Sequence, residues 1–332
     1  MQTKGSRAAR AFNFACVAIV MALPAAEPAQ ADPIAIDARP VALGESGDTV
    51  SRVGALDFLG GLELTSPDRR FGGLSGLAIG ADGTRMTAIT DRGYWIEARL
   101  DYDAAGRLVG IGDAALYPIR DAAGQPLEGS WRDAEALTRL ADGRRAVGFE
   151  RRHRIWLYGG DVAHAAGQAL AMPAELGAAP NNGGIEALTQ LADGRLLALT
   201  EDFRAPEGGL RGWIIALDGG AAAPLAYLPA PDFHPTALAL LPDGDVLVLE
   251  RRFTVIAGPG ARLVRVARAA IAPGAIVSGR ELGRLEAPLT VDNFEGLAVR
   301  RDAVGRTLIY LVSDDNFNPV QRTLLMQFRL AE

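Results

Sequence analysis

The chain has 332 residues, of which 49% are hydrophobic, and it has a formal net charge of −6 at pH 7. A chain of this length can bury a large core. After residue 31 it contains no apolar run of about 18 residues that would span a membrane. Because nucleic-acid affinity depends on clustered positive charge, the acidic balance argues against a nucleic-acid partner. We expect a monomer with no stable membrane span once the N-terminal segment has been removed.

That N-terminal segment has the three parts of a secretory signal peptide. A basic stretch over residues 4–10 is followed by an apolar run over residues 12–26, and residues 29–31 read Ala-Gln-Ala, the small-x-small form of a cleavage site. The segment predicts a signal peptide over residues 1–31 and a mature chain that begins near Asp32. We therefore expect a periplasmic or secreted protein.

The only cysteine, Cys16, lies inside this predicted signal peptide. The mature protein is therefore expected to have no disulfide and no cysteine metal site, although an exported compartment would permit disulfides. Its stability must come from apolar burial and from hydrogen-bonded strands. Residues 32–52 are interpreted as a lead-in segment to a single folded domain over residues 53–332.

One short sequence pattern recurs along this domain. It begins with a polar or acidic residue, continues with Ala or Gly and then Leu, turns at an Asp-Gly pair or its equivalent, and ends in an apolar run closed by acid or hydroxyl groups. The copies begin at Ser75, Glu135, Glu186, Thr236 and Glu295. Their spacing of roughly 50 to 60 residues is typical of a propeller blade or a solenoid unit.

Each copy predicts a β-hairpin, because Asp-Gly between two apolar runs is a strong hairpin signal and glycine accepts the positive φ of such turns. Apolar segments after the hairpins predict a third strand and often a fourth. Four-stranded units at this spacing make a β-propeller. We predict an all-β propeller of five four-stranded blades, in which an early strand over residues 55–64 completes the last blade beside strands from the C-terminus.

Two other architectures compete with the five-bladed one. A sixth, degenerate blade between Ile96 and Gly129 would give a six-bladed propeller. A linear solenoid is disfavoured, because no polar capping repeat is evident at either end of the chain.

The propeller architecture gathers acids from distant parts of the sequence. The first strand of each blade lines the central channel, and the second returns beside it, so the start of one and the end of the other share a face of the disc. First strands begin with Glu135, Glu186 and Glu295. Second strands end at Glu150, Glu201, Glu250 and Asp314, with Thr90 and Asp91 in the matching place of the first blade. We expect these acids to converge at one mouth of the channel.

Carboxylates held this close repel one another and must be neutralised. The neighbouring arginines could pair with them and brace adjacent blades. A hard cation such as Ca²⁺ could bind among them, since it prefers several oxygen ligands. Catalytic acid–base chemistry is the third interpretation. For a cation, the candidate ligands are Glu135, Glu186, Glu201, Glu295 and Asp314, with amide oxygens from Asn182 and Asn293.

Loops that enter the first strands should add polar groups above the same mouth. His234 is a candidate acid or base there, although a loop imidazole bonded to the backbone is the alternative. Gly73-Leu-Ser75-Gly-Leu77 is not a nucleophile elbow, since leucine replaces its last glycine. The tryptophans Trp131, Trp156 and Trp213 are interpreted as blade-packing residues.

Several motifs resemble those of the bacterial phytase-like domain family, which carries the label "esterase-like activity of phytase". They are Phe71-Gly-Gly-Leu-Ser-Gly-Leu-Ala, Thr90-Asp-Arg-Gly, Asp133-Ala-Glu-Ala-Leu, Gly184-Ile-Glu-Ala-Leu, Asn293-Phe-Glu-Gly-Leu and Ser313-Asp-Asp-Asn. The resemblance covers nearly all of the mature chain. It implies an exported propeller that hydrolyses a phosphoric ester, with Ca²⁺ held by channel carboxylates and basic side chains gripping phosphate. The only lysine is Lys4, so arginines would have to supply that grip.

The leading hypothesis is therefore a divalent-cation-dependent phosphoric ester hydrolase with Ca²⁺ at the channel mouth. Glu186, Glu295 and His234 are the candidate catalytic residues, and Arg92, Arg151 and Arg251 are the candidate anchors for a small anionic substrate. A non-enzymatic envelope propeller that binds a ligand or a partner protein is the rival hypothesis. A metal-dependent lactonase or carboxylesterase is the third, since those chemistries also occur on propellers.

Overall fold

The computed structural model describes Gln2 and residues 32–44, 50–220, 222–254 and 258–331. The predicted signal peptide, including Cys16, thus lies outside the described residues except for Gln2. Within the described ranges, no helix is long and apolar enough to cross a membrane. Short 3-10 turns occur at Gly129–Trp131, Ala174–Ala178 and Arg268–Ala270.

All other regular structure in the described chain is β-strand. In chain order the strands are β1 (Asp32–Pro33), β2 (Asp37–Pro40), β3 (Arg52–Val53), β4 (Leu56–Thr65), β5 (Leu74–Ile79), β6 (Arg85–Thr90), β7 (Tyr94–Tyr102), β8 (Leu108–Pro118), β9 (Ala134–Arg139), β10 (Arg145–Phe149), β11 (Arg154–Tyr158), β12 (Gln168–Ala169), β13 (Ile185–Gln190), β14 (Leu196–Arg204), β15 (Leu210–Ile215), β16 (Ala223–Tyr227), β17 (His234–Leu240), β18 (Val246–Thr254), β19 (Gly258–Val266), β20 (Ile276–Val277), β21 (Arg280–Glu286), β22 (Phe294–Arg301), β23 (Thr307–Ser313) and β24 (Thr323–Leu330).

These strands form five sheets, which confirms the five-bladed propeller. Blade 1 has the order β1-β8-β7-β6-β5, blade 2 β12-β11-β10-β9, blade 3 β13-β14-β15-β16-β20, blade 4 β17-β18-β19-β21 and blade 5 β2-β4-β24-β23-β22. The inner strands β5, β9, β13, β17 and β22 contact one another around the ring. The region in which a sixth blade was an alternative forms β7 and β8 of blade 1.

The ring closes through the early strand, as the sequence predicts. β4 pairs antiparallel with β24, with Leu62 opposite Leu325, so blade 5 combines residues from both ends of the chain. The lead-in segment is divided between two blades, because β1 pairs with β8 of blade 1 and β2 pairs with β4 of blade 5. Pairing of this kind leaves only short edges exposed.

The apolar core lies between blades rather than within a single sheet. Each of five buried clusters joins two neighbouring blades, including the cluster that joins blades 5 and 1 through Leu325 and Leu77. Trp213 is buried in its blade and Trp156 packs against the cluster between blades 1 and 2, as expected, whereas Trp131 packs on Trp156 but keeps 46% of its surface exposed. The Asp-Gly turns have the predicted geometry, with Gly83 at φ 82° and Gly244 at φ 91°.

Hydroxyl groups join the inner strands of adjacent blades. The Thr236 hydroxyl donates to the Phe294 carbonyl of blade 5 at 3.1 Å, and the Ser75 hydroxyl donates to the Ala134 carbonyl of blade 2. Both side chains are buried. A buried carbonyl that loses its partner keeps its desolvation penalty.

We therefore expect Thr236→Val to lower the free energy of unfolding by about 1–3 kcal/mol. Urea unfolding monitored by tryptophan fluorescence would measure the change. Thr84→Val is the matched control, since Thr84 is exposed and its hydroxyl bonds only to the local Asp82 carboxylate. Equal stability of the two variants would contradict a role for the Thr236 hydroxyl in joining blades 4 and 5.

Candidate functional site

A β-bulge occurs at the same repeat position in every inner strand. In blade 2, for example, Phe149 pairs with Ala134 and Gly148 pairs with Ala136, so Glu135 between them has no partner of its own. The residues at this position, which we call the bulge ring, are Ser75, Glu135, Glu186, Thr236 and Glu295. A bulge re-aims its side chain and is common beside functional sites. Here it explains why the first residue of each repeat faces the channel.

A second ring is formed by the residues that lie one position after the second-strand residue that pairs with the inner strand just before the bulge. Backbone hydrogen bonds of 2.9–3.0 Å from these residues to the entering loops fix their position in the four blades other than blade 4. The residues, which we call the rim ring, are Asp91, Glu150, Glu201, Arg251 and Asp314. We call the face that bears this ring the upper face.

The rim ring corrects one expectation about blade 4. Glu250 pairs with Pro235, so Arg251 takes the position that a carboxylate has in the other blades. Glu250 instead accepts a 2.6 Å hydrogen bond from the Tyr227 hydroxyl and pairs with Arg262 at 3.2 Å, away from the channel acids. The prediction that Glu250 joins the acids at the mouth is therefore wrong.

Arg251 lies among the acids as an internal counter-ion. Its Nη2 donates to Glu201 Oε1 at 2.5 Å, and its Nη1 donates to Glu295 Oε1 at 3.0 Å and to Asn293 Oδ1 at 2.6 Å. Asn293 in turn donates to Glu295 Oε1 at 2.7 Å. Although burial opposes its charge, the carboxylates of Glu295, Glu186 and Glu201 raise the pKa of Arg251 above its ordinary value. The guanidinium therefore stays protonated and neutralises part of the cluster.

The remaining acids are more numerous than this one cation. Burial and the neighbouring carboxylates raise the pKa of Glu135 and Glu186 well above the ordinary range. Burial likewise raises the pKa of Glu295 to about 7, although Arg251 opposes the shift. Burial, together with Glu295 and Asp91, raises the pKa of Asp314 to about 9. Burial and mutual repulsion thus favour the protonated forms of the channel acids, as expected where Arg251 alone faces several carboxyl groups.

Asp91 is the clearest sign of this excess of carboxyl groups. Its Oδ1 atom is buried and has no hydrogen-bond partner among the described residues. Burial raises the pKa of Asp91 to about 6, with Asp133 and Asp315 adding repulsion and Arg92 opposing it. The Asp91 carboxylate lies against Gly73, where any side-chain carbon would come within 2.2 Å of Oδ1. Gly73 also has a φ of 64°, so a side chain at this position would be both crowded and strained.

Glu150 of the rim ring binds the backbone of the neighbouring blade. Its Oε1 accepts the backbone N–H groups of Gly183 at 2.7 Å and Gly184 at 2.5 Å. These contacts attach the loop before β13 to blade 2. Burial raises the pKa of Glu150 to about 7 although the two N–H groups oppose the shift. We interpret Glu150 as a brace between blades 2 and 3.

The loop residues predicted for the site lie at different distances from the two rings. His234 begins β17, and its Nδ1 is 2.9 Å from the Glu201 carbonyl oxygen, the backbone contact that the sequence left as an alternative. Asn182 is exposed on the upper face. Arg92 lies with its Cζ 3.0 Å above the Phe317 ring, and it donates to the Arg69 carbonyl at 3.3 Å. The catalytic, substrate and metal roles of these residues remain predictions.

Asp133 was not among the predicted site residues, although it occupies the same repeat position as His234 and Asn293. Its Oδ2 pairs with Arg151 Nε at 2.6 Å. Burial raises the pKa of Asp133 while Arg151 opposes the shift. Its place two residues before Glu135 is the sequence signal that points to it.

A ring of leucines closes the channel beneath the acids. Each lies two residues after a bulge position, and each is buried: Leu77, Leu137, Leu188, Leu238 and Leu297. The space left between the bulge ring and the leucine ring is only about 10 Å³, about the size of a single water site. On the other side the channel widens into a recess of about 540 Å³. The acids can therefore be reached only from the upper face.

The donor set suits a hard cation. Glu135 and Glu186 border the small space above the leucine ring, and the buried Asp91 Oδ1 has no hydrogen-bond partner in the described chain. Within the described residues, however, no three acidic or histidine side chains are placed to enclose an ion as they stand. A bound cation would require the carboxylates to turn toward it, and Ca²⁺ tolerates such flexible geometry.

Comparison with known proteins identifies a family. No curated protein sequence matches the chain. One similar solved structure is the gluconolactonase XC5397 from Xanthomonas campestris, which is 13% identical over 90% of this chain and 97% of that chain, with a TM-score of 0.43. Another is the H270A virginiamycin B lyase from Staphylococcus aureus with quinupristin, which is 11% identical over 86% of this chain and 82% of that chain, with a TM-score of 0.41. Likenesses this weak say nothing about activity.

The sequence pattern of one family is more informative. The model of the Phytase-like family, described as "Esterase-like activity of phytase", matches residues 69–317, which include every inner strand and both rings of the channel mouth. The resemblance seen in the repeat motifs is thus confirmed, and the chain belongs to the Phytase-like family.

Proposed function

We propose that this protein is an exported hydrolase that cleaves a phosphoric ester with a divalent cation, Ca²⁺, at the upper mouth of its channel. The excess of buried carboxylates over the one internal guanidinium supports the proposal, and the family described as "Esterase-like activity of phytase" is in keeping with it. The predicted signal peptide supports export. A monomer that binds a small anionic substrate fits the closed ring.

The contacts of the predicted residues favour some of them as ligands for such a cation. Arg251 engages Glu201, Glu295 and Asn293, and Asn182 is exposed. We propose ligands from the acids that Arg251 does not engage, Glu135, Glu186 and Asp314, joined by Asp91; Glu295 would join them only by sharing its carboxylate with Arg251. When bound, the cation would polarise phosphoryl oxygens and lower the pKa of a bound water.

The protein side chains would supply orientation and proton transfer. Glu186, on the bulge of blade 3, projects into the channel and is our candidate to move a proton between water and the leaving alcohol oxygen. Arg251, held by Glu201 and Glu295, would present a fixed positive charge to the substrate. The leucine ring excludes solvent from below, which strengthens these electrostatic interactions.

Hydrolysis of p-nitrophenyl phosphate by the purified protein tests the proposal. We expect release that requires Ca²⁺, is abolished by a chelator, and falls at least 100-fold in Glu186→Gln, because general acid–base groups contribute about 10²–10⁴-fold. Asp37→Asn, on exposed β2, is the matched control and should keep full activity. Equal, negligible release with Ca²⁺ and with chelator from a range of phosphate esters would remove the claim of enzymatic activity.

The pairing of Arg251 favours a second candidate, a ligand-binding envelope protein without catalysis. Arg251 neutralises Glu201 and Glu295 without any bound ion, as expected of a structural cluster. Melting temperature measured with and without Ca²⁺ distinguishes the two candidates, because a cation that binds only the folded state raises the melting temperature. An unchanged melting temperature in saturating Ca²⁺, together with inactivity, would favour this second candidate.

A further inference from the structure

An open groove of about 780 Å³ lies on the upper face beside the acids, between blades 2 and 3. Its lining consists of Ser130, Arg151, Arg152, Asn181 and Asn182. Arg151 connects it to the channel through the 2.6 Å contact with Asp133. The groove is therefore large enough to hold a ligand larger than an ion beside Asp133.

The backbone around the groove is held in a fixed and unusual shape. Arg151 has a φ of 52°, a left-handed conformation that costs energy for a residue other than glycine. Its N–H donates to the Asn181 carbonyl at 3.1 Å, while Glu150 binds the N–H groups that follow Asn182. Such strain persists where the surroundings enforce it and is common at ligand-binding positions. The groove is thus formed before any ligand arrives.

The groove is lined by groups that can donate hydrogen bonds: two guanidinium groups, two amides and one hydroxyl. Arg152 makes one long hydrogen bond, from Nε to Ser130 Oγ at 3.4 Å, and has no carboxylate partner among the described residues. The side chain of Arg151 is 55% exposed, although it contacts Asp133. Asn181 and Asn182 add exposed amides. Two guanidinium groups with free N–H donors favour a phosphate-like anion.

An exposed indole lies next to two of the residues that line the groove. Trp131 directly follows Ser130, Arg152 Cζ lies 5.7 Å from the centroid of its ring, and 46% of its surface is exposed. Its ring packs against Trp156, with centroids 6.4 Å apart, and Arg154 Cζ lies 5.0 Å from it. Arg154 also donates to the Trp131 carbonyl, and its own charge is packed 3.7 Å from the Phe149 ring. The indole is therefore a fixed aromatic surface rather than a mobile side chain.

We propose that this groove binds an organic phosphate or phosphonate that carries a planar ring. The anionic group would bind Arg151 and Arg152, and the ring would stack on Trp131. Stacking on an exposed aromatic is worth a substantial gain in affinity for any planar ring. The groove shares Arg151 with the proposed hydrolase site, but the inference concerns binding and holds whether or not the channel acids catalyse hydrolysis.

Calorimetric titration of the full-length mature protein in chelator, with three probes, tests the proposal. Phenylphosphonate has both ring and charge, methylphosphonate has only the charge, and benzyl alcohol has only the ring; none has a phosphoric ester bond. We expect phenylphosphonate to bind about tenfold more tightly than methylphosphonate, and benzyl alcohol not to bind measurably. Equal affinity for the two phosphonates, or no saturable binding of phenylphosphonate at millimolar concentrations, would overturn the proposal.

Two variants test how much the indole and the guanidinium each contribute to the affinity. Trp131→Ala should weaken phenylphosphonate about tenfold and leave methylphosphonate unchanged, whereas Arg152→Gln should weaken both. Phe253→Ala is the control, because Phe253 is 65% exposed but does not line the groove, and it should bind like the wild type. Unchanged binding by a folded Trp131→Ala protein would overturn the stacking role. Glu186→Gln should keep phenylphosphonate binding even if it loses hydrolysis, so failure of one proposal is distinguishable from failure of the other.

Discussion

Replacing Arg251 with methionine is expected to lower the free energy of unfolding at neutral pH by about 3–5 kcal/mol, the usual cost of removing one partner from a buried ion pair. Arg251 is 21% exposed at its side chain, and its partners Glu201 and Glu295 are 17% and 12% exposed. Without the guanidinium, these two acids would remain buried beside Glu186 with no counter-ion. Urea unfolding would measure the loss.

A matched control separates this effect from loss of charge in general. Arg204 pairs with Asp202 at 3.5 Å on the surface, and its side chain is 70% exposed, so Arg204→Met should change stability by no more than about 0.5 kcal/mol. Arg251→Met combined with Glu201→Gln and Glu295→Gln should recover much of the stability, since the triple variant buries no unpaired charge. If Arg251→Met were no less stable than Arg204→Met, the guanidinium could not be the counter-ion of the cluster.

The architecture was predictable because the repeat carries local signals for it. Asp-Gly turns specify the hairpins, and an apolar run over residues 55–64 with no hairpin partner of its own indicates closure; the observed strand is Leu56–Thr65. The convergence of Glu135, Glu186 and Glu295 also follows from the repeat, since equivalent residues of closed blades must surround one axis.

The detail of the site was harder to predict because it depends on register. The spacing between Glu135 and Glu150, counted from Thr236, leads to Arg251 rather than to Glu250. The sequence prediction nevertheless places Glu250 at the mouth because it is the acidic residue of the two. A shift of one residue turns a side chain to the other side of its strand. Loop residues such as Asn182 have no periodicity to guide prediction, so their exposure could not be anticipated from the sequence.

The pH dependence of stability should reveal the shortage of positive charge among the acids. In chelator we expect the free energy of unfolding to fall as pH rises from about 5 to about 9. Burial raises the folded-state pKa of Asp91 to about 6, of Glu295 to about 7 and of Asp314 to about 9, whereas carboxyls of the unfolded chain titrate near 4. The folded protein thus retains protons that the unfolded chain has lost, and this stabilisation disappears as pH passes through the folded values.

Acids outside the channel affect a different range of pH. Arginine contacts lower the folded-state pKa of Asp57, and local hydrogen bonds lower that of Asp142. A carboxyl with a lowered pKa contributes stability above its unfolded value and loses it only as pH falls through the folded one, below about 4. The interval from about pH 5 to about pH 9 therefore reports on the channel acids. Stability that rose across this interval in chelator would contradict the charge balance described for the site.

Saturating Ca²⁺ should remove this decline, because the ligands must be deprotonated and a cation then supplies the missing charge. The Ca²⁺-induced rise in melting temperature should accordingly be larger at about pH 9 than at about pH 5, with a gain of about 2.7 kcal/mol when the free ion is at about 100 times its Kd. Asp314→Asn, which fixes a neutral side chain, should be more stable than the wild type at about pH 9 in chelator and should lose part of the response to Ca²⁺. Asp37→Asn on exposed β2 should follow the wild type in both conditions. A response to Ca²⁺ that was independent of pH, or unchanged in Asp314→Asn, would place the cation away from these acids, since only their deprotonation couples its binding to pH.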